Sequence, residues 1–124
     1  ISTELGGGGS TTSYTVEIAK KGIRNILRHA EIIEGDLEVD ETLNLDMPND
    51  NCYIFSESTG LVEHCVDLGD EVKSGQLIAK VHNIERTGSP PDEYHAKIDG
   101  IFTGKHFPGH VVNGDFLGVI AVPV

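Results

Sequence analysis

The second half of the chain repeats itself. Gly60-Leu61-Val62, followed by Val72-Lys73-Ser74-Gly75-Gln76-Leu77-Ile78-Ala79-Lys80-Val81, returns as Gly100-Ile101-Phe102, followed by Val111-Val112-Asn113-Gly114-Asp115-Phe116-Leu117-Gly118-Val119-Ile120. Val72 and Val111, Gly75 and Gly114, Leu77 and Phe116, and Val81 and Ile120 are each 39 positions apart, and Gly60 and Gly100 are 40 apart. Each copy reads as strand, bend, strand, with a turn at Val-x-x-Gly. Leu68-Gly69-Asp70-Glu71 supplies the first bend and Phe107-Pro108-Gly109-His110 the second. Strands this short cannot bury an apolar face alone. The two copies are therefore expected to interlock as a small sandwich of β hairpins, each covering the face that the other exposes.

The residues before Asn51 follow a different pattern. Ile1 to Leu5 reads as a short strand running into a glycine loop, and Ser10-Thr11-Thr12-Ser13 offers several helix N-caps. From there to about Ile33 the period is helical, with Val16, Ala19, Ile23, Ile26, Leu27 and Ala30 forming one apolar stripe. Glu17 lies towards the positive end of that helix, Arg24, Arg28 and His29 towards the negative end, and Gly35 is placed to stop it. One strand and one helix do not close a core. Residues 1–35 are thus expected to be the strand and helix that end an incomplete α/β domain, the rest of which is missing from the chain. Residues 36–50 form an acidic connector, and residues 51–124 the repeated β domain.

Twenty acidic residues against nine basic ones give a formal charge of −11. That field repels polyanions and no Lys/Arg cluster offsets it, which argues against nucleic-acid and anionic-membrane partners. No apolar run approaches the roughly 18 residues of a membrane helix, and the first residues lack the basic and apolar regions of a signal peptide. A cytoplasmic location is expected. Cys52 and Cys65 fit neither a CxxC nor a zinc-knuckle spacing, and are expected as free, partly buried thiols.

"DLGDEVKSGQLIAKV" resembles the first half of a biotinyl/lipoyl-type barrel-sandwich hybrid, and the second copy resembles the other half. In carriers of that family a Lys at the hairpin tip between the halves bears the cofactor. The corresponding segment, Val81 to Ala96, contains no Lys, while Lys80 and Lys97 flank it within strand patterns. The resemblance thus implies the fold without biotin or lipoyl attachment.

Thr3-Glu4-Leu5-Gly6 at a strand end, then a helix ("KGIRNILRHAEIIEG"), then a lipoyl-like β domain, resembles the succinylglutamate desuccinylase/aspartoacylase family over essentially the whole sequence. The match is nearest to the N-acetyl-diaminobutyrate deacetylase branch. The resemblance implies a zinc-carboxypeptidase-like catalytic domain and hydrolysis of a small N-acyl amino acid. It makes Glu4 the general acid/base beside a zinc-bound water. Such a carboxylate at a strand's C-terminal edge can take a proton from water and pass it to the leaving amine. Gly6, Gly7 and Ser10 are the candidates for the substrate rim, where glycines let the backbone turn sharply ahead of the helix. The zinc ligands of the family lie upstream of this Glu, so the metal belongs to a missing N-terminal catalytic portion. The chain alone is expected to be inactive, and the whole protein a homo-oligomer.

Other readings compete with that one. His106-Phe107-Pro108-Gly109-His110 has an HxxxH spacing, but Pro108 and Gly109 break the helix that would align two rings. His29, His64, His82 and His95 are scattered, so no zinc site is expected from this chain alone. Tyr94 and His95 read as loop surface between the two halves. Gly6 to Ser13 lacks the Lys of a P-loop. A non-catalytic lipoyl-like binding or assembly module is the alternative to the deacylase.

Overall fold

The computed structural model describes Gly7, residues 9–86 and residues 88–124, so the expected strand at residues 1–5 lies outside the described residues. The chain divides into two compact units, Ile1–Thr42 and Leu43–Val124.

The first unit is built on helix α1, Ser13–His29. Thr12, in extended geometry, caps its start. The Thr12 Oγ1 accepts from the Thr15 amide at 3.1 Å while the Thr15 Oγ1 accepts from the Thr12 amide at 3.0 Å, a capping box made by two threonines. The end comes earlier than the apolar stripe implies. Glu31 takes a left-handed φ of 57°, its amide donates to the Arg28 carbonyl at 3.0 Å, and the Ile32 amide reaches back to Leu27 at 2.9 Å. Those two bonds form a Schellman closure, normally a glycine's position. Gly35, expected to stop the helix, serves a different purpose. A Cβ there would lie 2.9 Å from Nε of Arg28, so glycine is what allows the guanidinium to cover this backbone.

The acidic segment after the helix is tied to it side on. Asn25 donates to the Glu38 carbonyl at 2.8 Å and accepts from the Glu38 amide at 2.9 Å, as a neighbouring strand would. Arg28 bonds the Glu38 carboxylate at 2.7 Å and holds its pKa below the ordinary carboxylate value, and Lys21 pairs with Asp40. No residue of α1 is buried; Val16, Ile23 and Ile26 of the apolar stripe remain exposed.

Among its described residues the second unit holds nine antiparallel strands: β1 (Leu45–Asp46), β2 (Tyr53–Phe55), β3 (Gly60–His64), β4 (Glu71–Val72), β5 (Leu77–His82), β6 (Asp92–His95), β7 (Gly100–Lys105), β8 (His110–Val111) and β9 (Phe116–Pro123). They form two sheets. One runs β6-β5-β3-β8. The other runs β9-β7-β4, with both β1 and β2 pairing with β9. Leaving β1 aside, each sheet repeats the other element for element: β2 corresponds to β6, β9 to β5, β7 to β3, and β4 to β8.

The copies exchange strands rather than stand apart. β8 of the second copy pairs with β3 of the first (Gly60↔Val111), and β4 of the first pairs with β7 of the second (Val72↔Gly100). The turns match bond for bond. Gln76 donates to Lys73 at 2.9 Å and Asp115 to Val112 at 3.0 Å, with Gly75 and Gly114 at φ 85° and 91° between them. Gly75 then donates to Ala96 at 2.8 Å, and Gly114 to Ser56 at 2.7 Å.

One core serves both sheets. Val72, Ile78 and Val81 of the first copy and Phe102, Val111, Leu117 and Ile120 of the second are essentially fully buried, with Ile54, Val66 and Ala96 completing the cluster. Two stretches carry more order than their sequence suggested. Leu45–Asp46, in the acidic stretch, pairs with Val122–Pro123, and Asp92–His95 is an edge strand on β5 rather than loop. No helix among the described residues is long and apolar enough to cross a membrane.

Candidate functional site

Of the residues singled out for catalysis and substrate, Glu4 and Gly6 lie outside the described residues. Gly7 and Ser10 are described and exposed, and are joined to each other: the Ser10 amide and hydroxyl both donate to the Gly7 carbonyl at 3.3 Å. The helix start itself is occupied by Thr12 and Thr15, which leaves the Ser10 hydroxyl outside the cap.

The histidines do not converge. His106 Nε2 contacts the backbone carbonyl of His110 at 3.3 Å, so the HxxxH pair is joined ring to main chain. His64 Nε2 contacts the His106 carbonyl at 3.2 Å; its Nδ1 is buried with no partner, and burial pushes its pKa below the ordinary value. His82 pairs with Glu63 at 2.6 Å on the exposed side of the β3–β5 pair, and His95 stands 3.9 Å from Glu93. No group of three or more His, Cys, Asp or Glu among the described residues is placed to hold a metal ion. Cys52 is buried and Cys65 is exposed; both are free.

Lys80 lies within β5, opposite Glu63 of β3 and Glu93 of β6. Lys97 sits just past β6, and its carbonyl accepts from the Ser74 hydroxyl at 3.1 Å. Neither occupies the β5–β6 tip, where Asn83 Oδ1 instead accepts the amides of Glu85 (2.9 Å) and Arg86 (3.1 Å).

The polar feature that the sequence reading missed is centred on Tyr94. Its phenol oxygen accepts from the Glu57 amide at 3.0 Å, lies 2.9 Å from the Ser58 hydroxyl, and is 3.4 Å from the hydroxyl of Ser56. Ser56 is 2% exposed and donates to the Ser58 carbonyl at 2.7 Å, so the one buried member of this half-buried knot is bonded. It fixes the loop after β2 against β6. Beside it, Ser58, Thr59, Asn83, Ile84, Glu85, Asp92 and His110 line a cleft of about 410 Å³.

No family model matches the chain. Over 123 residues it is 46% identical to the N-alpha-acetyl-L-2,4-diaminobutyric acid deacetylase of Halomonas elongata, a match covering 98% of the chain and 36% of that protein. The product-bound structure of the ectoine utilization protein EutE (DoeB) from Ruegeria pomeroyi is 50% identical with a TM-score of 0.91, over 96% of this chain and 36% of that one. A succinylglutamate desuccinylase/aspartoacylase from Rhodobacter sphaeroides aligns at 31% identity and a TM-score of 0.90, over 98% and 39%. The chain belongs with the succinylglutamate desuccinylase/aspartoacylase family.

It spans little more than a third of the length of these family members. The family resemblance read from the sequence holds across nearly its whole length. Within this family segment, the described residues form a mostly-β piece matching the C-terminal part of the fold. The Tyr94 knot had one sequence signal. Val-His-Asn-Ile and Asp-Glu-Tyr-His flank a Gly-Ser-Pro-Pro turn region, as two paired strands would. The alternation in Asp-Glu-Tyr-His was too polar to stand out as a strand.

Proposed function

We propose that the protein carrying this segment is a deacylase that hydrolyses the amide bond of an N-acyl amino acid. The candidate substrates are N-acetyl-diaminobutyrate, N-acetylaspartate and N-succinylglutamate, in that order. The observation that supports this most strongly is the 46% identity to a diaminobutyric acid deacetylase over 98% of the chain. Glu4 is the acid/base of this reading: it takes a proton from the attacking water and returns it to the departing amine. Gly6, Gly7 and Ser10 border the substrate. The family resemblance also assigns zinc to the whole protein. The same resemblance puts the zinc ligands upstream of Glu4, in the rest of the protein, and on that reading this segment alone is inactive.

The β unit is read as a lipoyl-like barrel-sandwich hybrid with no acceptor lysine. Its matched turns and exchanged strands support that reading. A cytoplasmic homo-oligomer, divided as residues 1–35, 36–50 and 51–124, completes the proposal. Glu4→Gln in the full-length protein tests the assignment. A kcat loss on the order of 10²–10⁴-fold, with an unchanged circular dichroism spectrum, is expected. Undiminished turnover would remove Glu4 from the chemistry.

A further inference from the structure

The turn of the second copy contains the only Asn-Gly pair in the sequence, Asn113-Gly114. This dipeptide has a reactivity of its own. The Gly114 amide nitrogen can attack Cγ of Asn113, the carbonyl carbon of its carboxamide, because glycine presents no side group to block the approach. A new bond from that nitrogen to Cγ closes a succinimide ring, and the bond from Cγ to Nδ2 breaks. Nδ2 leaves as ammonia, taking with it the proton that Gly114 gives up. Water then opens the ring at one of its two carbonyls, giving aspartate or isoaspartate. Water is the only co-reactant.

Asn113 is exposed, so water and base reach it. The attacking nitrogen is restrained. Gly114 N–H donates to the Ser56 carbonyl at 2.7 Å, and the Ser56 amide donates back to the Asp115 carbonyl at 2.8 Å. The turn is closed from within as well, by Asp115 N–H on the Val112 carbonyl at 3.0 Å and Val112 N–H on the Asp115 carboxylate at 2.9 Å. Ser56 is buried and its hydroxyl is anchored in the Tyr94 knot, so the acceptor is as fixed as the donor. Attack requires Gly114 to lose its proton and swing its nitrogen towards Cγ of Asn113. The bond to Ser56 opposes both.

We propose that Asn113 is a latent deamidation site, held unreactive while Gly114 stays bonded to Ser56 and released when that contact opens. The equivalent turn of the first copy has the same restraint, Gly75 to Ala96 at 2.8 Å and Ala96 to Gln76 at 2.8 Å. Ser74 stands in the place of Asn113 there and has no carboxamide to attack, so the chemistry is confined to the second copy. Isoaspartate adds a backbone carbon to a turn that must match Ser56 at two hydrogen bonds. The modification is therefore a one-way record of local opening.

The test incubates the full-length protein at mildly alkaline pH, native and in urea, and follows the peptide containing Asn113 by mass spectrometry. Asn113→Gln is carried alongside, and hydrogen exchange at the Gly114 amide is measured across the same urea series. Native protein should deamidate at least about tenfold more slowly than unfolded protein, with Gly114 exchange and deamidation rising together. Asn113→Gln should leave that peptide unmodified. Equal native and unfolded rates, an unmodified Asn113 in urea, or fast Gly114 exchange beside slow deamidation would each overturn the proposal.

Discussion

Two glycines set how closely the sheets' own strands can cross. A Cβ on Gly60 would sit 2.1 Å from the backbone oxygen of His82, and one on Gly100 would sit 2.5 Å from that of Ala121. Backbone cannot step aside as the end of a side chain can, so these positions of the repeat admit no larger residue. Gly60→Ala is expected to cost about 1–3 kcal/mol in urea unfolding, the usual range for overpacking. An unchanged midpoint would show that the strands have room to part. His64 makes a second residue-level prediction. Its Nδ1 is buried without a partner, so a proton added there finds no acceptor, and burial lowers the pKa from its ordinary 6.5. As pH falls through about 6.5 the unfolded state takes up the proton first, so the folded state loses stability until the folded pKa is passed. The urea midpoint should therefore drop more between neutral and mildly acid pH in the wild type than in His64→Gln. Equal drops would take His64 out of the pH dependence.

Among the elements, α1 shows where a sequence signal was right in kind and wrong in place. A cap somewhere within Ser10–Ser13 and the helical period were legible, because caps and apolar spacing are local; that Thr12 is the one used was not. The C-terminus was not, since glycine is the residue to look for and the chain puts Glu31 in the left-handed position instead. Glu31→Gly removes that strain and should raise stability by about 0.5–1 kcal/mol, less what glycine's freer unfolded state takes back. A lower midpoint would mean that the Glu31 side chain has a structural role of its own. β6 was hidden for another reason. Asp92, Glu93 and His95 are polar because an edge strand meets solvent, and Tyr94 alone turns inward, onto Ser56 and Ser58. The Val-x-x-Gly turns, by contrast, were readable from two residues each, since a positive φ at Gly75 and Gly114 is what a tight turn requires.

At the scale of the molecule, the repeat carries the fold. Offsets of 39 and 40 residues in the sequence become two sheets of matching order that share one core, and each copy supplies strands to both. The exchange of β4 and β8 follows from that sharing. A two-residue strand has no stability alone, and lies against a partner already held by longer neighbours. The family was legible from short motifs at both ends of the sequence because they occur together and in order. Of the candidate site, Glu4, Gly6, Gly7 and Ser10 were named through the family resemblance; Glu4 and Gly6 lie outside the described residues, and the chain spans 36% of the length of the deacetylase it matches. In the proposed function, this segment is part of an N-acyl amino acid deacylase. The direct measurement is hydrolysis by the full-length protein, supplied with zinc, of N-acetyl-diaminobutyrate, N-acetylaspartate and N-succinylglutamate. Turnover of at least one, N-acetyl-diaminobutyrate first, is the predicted result; a folded protein that cleaves none of the three would contradict the account.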